Sequence, residues 1–207
     1  MKLVVVGGQA RKVGKTSVIC GLIRGLKMLG WTAVKISYHG GEADAHDAPL
    51  PEELPPHLDF LLSEERDREG RGDTSLYLAA GARRALWLRA RGDGLARGLP
   101  ALLHAVEGDE HVVVESNSLL GYIKPGVFLM VMDESGGDVK GSARQFLACA
   151  DAFVAVKSGP APWPAASLRL PEGKPVYPVS AGEWLNRDLC QFVRERLGPP
   201  GRRSPCA

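Results

Sequence analysis

The opening of the chain changes from a strand-like to a helix-like pattern of apolar residues. Residues 3–6 are uninterrupted apolar positions with no polar alternation, which predicts a strand buried on both faces. A glycine-rich loop follows, and apolar side chains then recur at helical spacing over residues 16–29 before Gly30 ends the helix. Residues 32–37 predict a second short strand. Strand, loop, helix and strand together form a βαβ unit.

A segment of different composition interrupts the alternation before it resumes. Residues 38–72 carry four prolines and many acidic side chains, which predicts a long insertion, or lid, with at most one short helix near residues 58–65. The pattern beyond it predicts helices over residues 74–80, 95–106, 142–149 and 184–197. It predicts strands over residues 85–89, 111–115, 127–133, 152–156 and 176–179. The Gly-, Pro- and Arg-rich residues 198–207 predict a disordered tail.

Alternating strands and helices predict an α/β fold. Residues 1–197 are expected to form a single domain, a three-layer sandwich around a mostly parallel sheet of about seven strands. The total of 207 residues agrees with one such domain.

Composition narrows the classes of partner and compartment. The net charge is +2 and charged residues make up 24% of the chain, so bulk charge indicates neither a nucleic-acid nor a membrane partner. The four cysteines are scattered and form no C-x-x-C pair, which is typical of reduced thiols rather than a zinc site or a disulfide framework. No apolar run approaches the ~18 residues of a membrane span or resembles a signal peptide, so we expect a cytoplasmic protein.

The loop after the first strand carries the strongest chemical signal. It reads GGQARKVGKTS and supplies what a phosphate loop needs: glycines for a tight turn, backbone N–H groups, a lysine for the outer phosphates and a hydroxyl for Mg²⁺. The helix that begins there adds its N-terminal dipole. Five residues rather than four separate Gly8 from Gly14, and Gln9 takes the usual place of the first glycine. The residues predicted to bind ATP or GTP are Gly8, Lys12, Val13, Gly14, Lys15, Thr16 and Ser17.

Several side chains at the expected ends of elements are candidates for metal binding and catalysis. Mg²⁺ prefers hard oxygen ligands, and Thr16 supplies one. Glu115 ends a buried strand and is predicted to supply or orient another, with a solvated charge as the alternative. Asp73 opens a predicted helix, where an N-cap is a routine role. Lys35 ends the second strand, and with Lys15 it is predicted to neutralise charge in phosphoryl transfer, a surface lysine being the alternative.

The G-x₅-G-K-T spacing resembles that of dethiobiotin synthetases and cobyrinic acid amidotransferases, which are P-loop NTPases. The chain also resembles the molybdopterin-guanine dinucleotide biosynthesis protein B family of the same branch, through Lys35, residues 72–75, residues 80–82 and the strand that ends in Glu115. This resemblance covers roughly residues 3–133 and implies a P-loop NTPase fold. Asp73 looks like the aspartate that binds magnesium in dethiobiotin synthetases, so the implied metal ligands are Thr16, Asp73 and Glu115.

Three functions remain open from the sequence. The first is a Mg²⁺-dependent, slow ATPase or GTPase that assists the biosynthesis of a molybdopterin-type cofactor. The second is a ligase or kinase, similar to dethiobiotin synthetase, that acts on a small carboxylate. The third is a nucleotide-gated adaptor whose residues 38–72 contact a partner protein, or a second copy in a homodimer. The base is undecided, because only Ser180-Ala181 is similar to a guanine-binding turn and no N-K-x-D motif is present.

Overall fold

Strands and helices alternate throughout the computed structural model, which describes residues 1–39, 54–133, 139–157 and 170–198. Within these residues the strands are Lys2–Gly8 (β1), Thr32–His39 (β2), Phe60–Glu65 (β3), Arg84–Arg91 (β4), His111–Glu115 (β5), Val127–Asp133 (β6), Ala152–Lys157 (β7) and Val176–Ser180 (β8). The α-helices are Lys15–Gly25 (α1), Asp73–Ala79 (α2), Gly94–Ala105 (α3), Gly141–Phe146 (α4) and Arg187–Leu197 (α5). Short 3₁₀ helices span Lys27–Leu29, Ser118–Gly121 and Leu147–Cys149.

All eight described strands belong to one sheet, in the order β3-β4-β2-β5-β1-β6-β7-β8. Every neighbouring pair is parallel except β3 and β4. Strand β1 lies inside the sheet, with Val4 opposite Val113 of β5 and Val127 of β6. The carboxyl ends of β1, β2, β5 and β6 therefore meet at one edge, where α/β proteins bind ligands. The predicted α/β class with a mostly parallel sheet is confirmed.

The eight described strands agree with the expected sheet of about seven, but a strand replaces the short helix predicted near residues 58–65. Those residues include β3, which pairs antiparallel with β4 from Phe60 opposite Ala90 to Glu65 opposite Ala85. Phe60 and Leu62, two residues apart, pack against the same apolar cluster, which is the spacing of a strand rather than a helix. Residues 40–53 of the predicted insertion and 199–207 of the predicted tail lie outside the described residues.

Two apolar cores cover the two faces of the sheet and make it the middle of three layers. Val4 and Val6 of β1 belong to a core with α1, α2 and α5, whereas Leu3 and Val5 belong to a core with α3 and α4. This alternation explains why the sequence of β1 is apolar at every position: both of its faces are buried. In the described part of the chain, no helix has the length and hydropathy to cross a membrane.

Candidate functional site

A cavity of about 560 Å³ opens at the carboxyl edge of the sheet. The residues that line it come from the phosphate loop, β2, the end of β5 and the turn after it, the start of α2, and the approach to α4. Its lining residues are Gly8, Ala10, Arg11, Lys12, Gly14, Lys15, Thr16, Ser17, Lys35, Ile36, Ser37, Tyr38, Asp73, Leu76, Glu115, Ser116, Asn117, Ser118, Lys140 and Ser142. Of the predicted nucleotide-binding residues, only Val13 is missing from this lining, because its side chain is buried in the core beside α1.

The backbone of the phosphate loop explains its glycines. Gly14 precedes α1 with a φ of 98°, in the left-handed region that side chains disfavour. Lys12 also has a positive φ, 58°, which for a non-glycine residue marks local strain of a kind that concentrates at functional sites. A β-carbon on Gly8 would lie only 2.7 Å from Cγ1 of Val13 and 2.8 Å from the Lys15 side chain. The loop therefore closes tightly against its own start, with the N-terminus of α1 directed at the cavity.

Lys15 begins α1 and lies across the loop. Its Nζ donates a hydrogen bond to the Ala10 carbonyl at 3.0 Å. Burial is the strongest influence on this ammonium and lowers its pKa, although the Glu115 carboxylate works in the opposite direction. This hydrogen bond holds the ammonium across the loop. A phosphate-loop lysine in that place reaches the outer phosphate oxygens of a nucleotide.

Glu115 is the centre of a buried polar network. Its side chain is 3% exposed, and its Oε1 accepts from Lys35 Nζ at 2.5 Å. Its Oε2 accepts from the Tyr77 hydroxyl at 2.5 Å and from Thr16 Oγ1 at 2.9 Å. The sheet register creates the first contact, since Lys35 of β2 lies directly opposite Glu115 of β5.

Asp73 joins the same network from α2. Thr16 Oγ1 lies 3.0 Å from Asp73 Oδ1, and Lys35 Nζ lies 2.8 Å from Asp73 Oδ2. Burial alone would lower the pKa of Lys35, but Glu115 and Asp73 outweigh it and raise that pKa. Burial alone would raise the pKa of Asp73, but Lys35 outweighs it and lowers that pKa. Asp73 is the first residue of α2, next to the N-cap residue Gly72, in agreement with its expected place at the start of that helix.

The three predicted metal ligands therefore meet at one point, with the Thr16 hydroxyl within hydrogen-bonding distance of both carboxylates. A hydroxyl and two carboxylates are hard oxygen donors and fit Mg²⁺, which binds few protein ligands and keeps several waters. Clusters of three or more His, Cys, Asp or Glu side chains that could hold a metal do not occur in the described ranges. The role of Thr16, Asp73 and Glu115 as magnesium ligands stays a prediction.

Two side chains that sequence reasoning missed hold the loop in place. Asn117 clamps Gly8: its Oδ1 accepts from the Gly8 N–H at 2.8 Å, and its Nδ2 donates to the Gly8 carbonyl at 3.0 Å. Gln9 is 3% exposed, and its Oε1 accepts from the Asp133 N–H at the end of β6 at 3.0 Å. The residue in the usual place of the first glycine is thus an anchor to β6 and does not line the cavity.

Two further residues of the site also escaped the sequence analysis. Lys140 also lines the cavity, and its charge contributes to the lowered pKa of Lys15. Tyr77 is fully buried, and burial followed by the neighbouring Glu115 raises its pKa well above the ordinary value. The sequence contains only weak indications of these roles: Tyr77 lies four residues after Asp73, and Asn117 lies in a polar triplet after an apolar strand.

Comparison with known proteins places the fold. No protein-family model matches the chain, and no curated protein sequence matches it. Among solved structures, HypB from Helicobacter pylori in complex with nickel has a TM-score of 0.51 and 14% identity, with 94% of this chain and 86% of HypB covered. LpxK from Aquifex aeolicus in complex with ATP has a TM-score of 0.49 and 14% identity, with 86% of this chain covered.

This chain spans about half of LpxK, since the match covers 53% of that protein. The likeness to HypB, at 14% identity, shows the fold: an α/β domain around a mostly parallel sheet. The phosphate loop between β1 and α1 is typical of P-loop NTPases. The narrower resemblance to the molybdopterin family and to dethiobiotin synthetases stays a prediction.

Proposed function

We propose that this protein binds ATP or GTP together with Mg²⁺ in the cavity and slowly hydrolyses the bound nucleotide. The observation that carries the proposal is the meeting of Thr16, Asp73, Glu115 and Lys35 beside Lys15 in the wall of one cavity. A phosphate loop alone supports nucleotide binding. The adjoining carboxylates and second lysine are the additional groups that phosphoryl chemistry requires.

The loop and the start of α1 bind the phosphates in this proposal. Backbone N–H groups of the first turn of a helix have no partner within the helix, and the helix dipole favours anions there. The strained backbone at Lys12 and the left-handed Gly14 keep the loop wrapped around that point. Lys15 exchanges its hydrogen bond to the Ala10 carbonyl for one to a phosphate oxygen.

Thr16, Asp73 and Glu115 are the residues that would hold the magnesium ion. Bound Mg²⁺ would neutralise charge on the phosphate oxygens. Lys35 Nζ lies 2.8 Å from Asp73 and 2.5 Å from Glu115, so the two carboxylates hold its ammonium group at the cavity wall. There it can stabilise negative charge that develops on a transferred phosphoryl group.

The wider role that we propose is that of an accessory protein in cofactor biosynthesis. It rests on the resemblance of residues 3–133 to the molybdopterin-guanine dinucleotide biosynthesis protein B family. Slow turnover agrees with such a role, because an accessory protein uses the nucleotide to control a complex rather than to produce a metabolite.

A second candidate is phosphoryl transfer to a small carboxylate. One observation favours it: the cavity extends beyond the phosphate loop along the end of β2, to Ser37 and Tyr38, and to Leu76 of α2. This extension adjoins Lys35, where an acceptor molecule would meet the terminal phosphate. Hydrolysis that accelerates on addition of a small carboxylate, with appearance of a phosphorylated product, would favour this candidate over the first.

The test of nucleotide binding is Lys15→Ala, with Lys27→Ala as the matched control at an exposed position outside the cavity. Fluorescent ATP and GTP analogues are titrated into each protein with Mg²⁺ and with EDTA. We expect Lys15→Ala to weaken binding about 10- to 100-fold, because a charged hydrogen bond contributes about 1.5–3 kcal/mol. Unchanged affinity of Lys15→Ala in Mg²⁺, with Lys27→Ala also unchanged, would refute the proposal.

A further inference from the structure

The hydroxyl of Tyr77 has an unusual acceptor for a core tyrosine. The side chain is fully buried among apolar residues of α1 and the sheet, in the core that also contains Val6, Ile19 and Val113. A buried phenol must find a hydrogen-bond partner, and its partner here is a carboxylate oxygen, Oε2 of Glu115, at 2.5 Å. The contact therefore links the apolar core directly to the proposed metal site.

The spacing of residues on α2 explains how one short helix reaches this network twice. Asp73 and Tyr77 are four residues apart, which places them on the same face of the helix. Asp73 contacts Lys35 and Thr16 at the cavity wall, while Tyr77, which does not line the cavity, contacts Glu115. One face of α2 thus presents one proposed metal ligand and supports the other.

The donors around Glu115 are not equivalent. Lys35 binds Oε1, while Tyr77 and Thr16 both approach Oε2. Thr16 has a single hydroxyl proton and lies within reach of both Glu115 and Asp73, so it can donate to only one of them at a time. The Tyr77 hydroxyl, in contrast, donates to Glu115 Oε2 and to no other acceptor in this network.

We propose that Tyr77 is a positioning residue that holds the Glu115 carboxylate in the orientation required to bind magnesium beside Thr16. The inference rests on the proposed Mg²⁺-nucleotide function and names the residue that prepares its metal site. Hydrogen bonds to ligating carboxylates orient them and tune the metal, and their loss costs 10- to 100-fold in metal affinity in other proteins. Tyr77 acts through Glu115 and touches neither nucleotide nor metal.

The experiment uses Tyr77→Phe, which removes the hydroxyl and keeps the ring that fills the core. Nucleotide affinity is measured in EDTA and then across a Mg²⁺ titration at fixed nucleotide. We expect the Mg²⁺ midpoint of Tyr77→Phe to rise about 10-fold or more, with the affinity in EDTA unchanged. Leu78→Val is the matched control, because Leu78 packs in the same core from the same helix, and its Mg²⁺ midpoint should equal that of the wild type.

A double-mutant cycle with Glu115→Gln separates positioning from general loosening of the helix. If Tyr77 acts through Glu115, Tyr77→Phe causes no additional shift of the Mg²⁺ midpoint in the Glu115→Gln background. An equal shift in both backgrounds, or a wild-type midpoint in Tyr77→Phe alone, would overturn the proposal. Failure of the underlying function looks different: the wild-type protein itself would bind no nucleotide, with or without Mg²⁺.

Discussion

Replacing Lys35 with methionine tests whether the charge network contributes to the stability of the fold. The Lys35 side chain is 20% exposed and bridges Glu115, at 3% exposure, and Asp73, at 39%. Methionine keeps much of the apolar stem but removes the ammonium. The variant therefore keeps the Glu115 carboxylate buried and takes away its only cationic hydrogen-bond partner among the described residues.

The expected loss of stability in Lys35→Met follows from the unequal burial of the Glu115 and Asp73 carboxylates. Removing one partner of a buried pair typically costs about 3–5 kcal/mol, because the other charge stays buried. The contact with Asp73 adds only about 0–1 kcal/mol, since the Asp73 side chain is 39% exposed and its charge is partly screened by solvent. With the partial exposure of Lys35 considered, we expect a loss near the lower bound, about 3 kcal/mol. For a protein of this size, about 2–4 °C per kcal/mol converts this to a Tm decrease of about 6–12 °C.

The assay is urea and thermal unfolding in EDTA, where no divalent cation can compensate the carboxylates. Lys27→Met is the matched control, because Lys27 is exposed in the 3₁₀ helix after α1 and should change stability by less than about 0.5 kcal/mol. Adding Mg²⁺ should restore part of the loss in Lys35→Met, since a cation between the carboxylates replaces the missing charge.

The reasoning is refuted if Lys35→Met unfolds at the same urea concentration as Lys27→Met in EDTA. That result would mean that the buried Glu115 carboxylate does not depend on a cationic partner for the stability of the folded protein. If Lys35→Met loses stability and Mg²⁺ does not restore any of it, the contribution of Lys35 to stability is supported but the magnesium site is contradicted. The measurements in EDTA and in Mg²⁺ therefore test these two claims separately.

Other variants and conditions test the anchors of the site. Asn117→Ala removes two hydrogen bonds to Gly8, so we expect a stability loss of about 1–3 kcal/mol by urea unfolding and weaker nucleotide binding. Asn117→Asp keeps the acceptor for the Gly8 N–H but sets a carboxylate oxygen against the Gly8 carbonyl, so it should not restore stability. Because the pKa of Asp73 is lowered by folding, its contribution to the free energy of unfolding is present above the unfolded pKa of about 3.9 and is lost as the pH falls through the folded pKa. In Asp73→Asn the urea midpoint should therefore fall less steeply as the pH is lowered. Because the pKa of Lys35 is raised by folding, its contribution to the free energy of unfolding is present below about pH 10 and is lost as the pH rises through the folded pKa. The urea midpoint of Lys35→Met should not show this loss at alkaline pH.

The sequence by itself determined the features that are local along the chain. The apolar run of β1, the glycines and lysine of the loop, and the helical spacing of α1 lie within 25 residues, so neighbouring positions alone predict a phosphate loop between a strand and a helix. The alternation of later segments likewise predicted the α/β class. Glu115 could be named as a candidate because it ends a recognisable strand. Lys35 was predicted at the end of the second strand, but it lies within β2, which continues to His39.

The edge of the sheet was decided by tertiary structure. Residues 58–65 carry prolines before them and charged residues at their end, a local composition that does not specify a strand. The edge of β4 supplies backbone partners, and Phe60 and Leu62 pack against an apolar cluster that includes α3, so β3 forms there. Strand propensity depends on such context more than helix propensity does.

The site itself is also a product of tertiary structure. Lys35 and Glu115 are 80 residues apart in sequence and meet because β2 and β5 pair in a register that places them side by side. Asn117 reaches Gly8 across 109 residues because β5 neighbours β1. Tyr77 reads locally as an ordinary core aromatic, and only the packing of α2 over the end of β5 brings its hydroxyl to Glu115. The residue types were visible in the sequence, but which donor serves which carboxylate depends on strand order and register, and these are set by burial on both faces of the sheet.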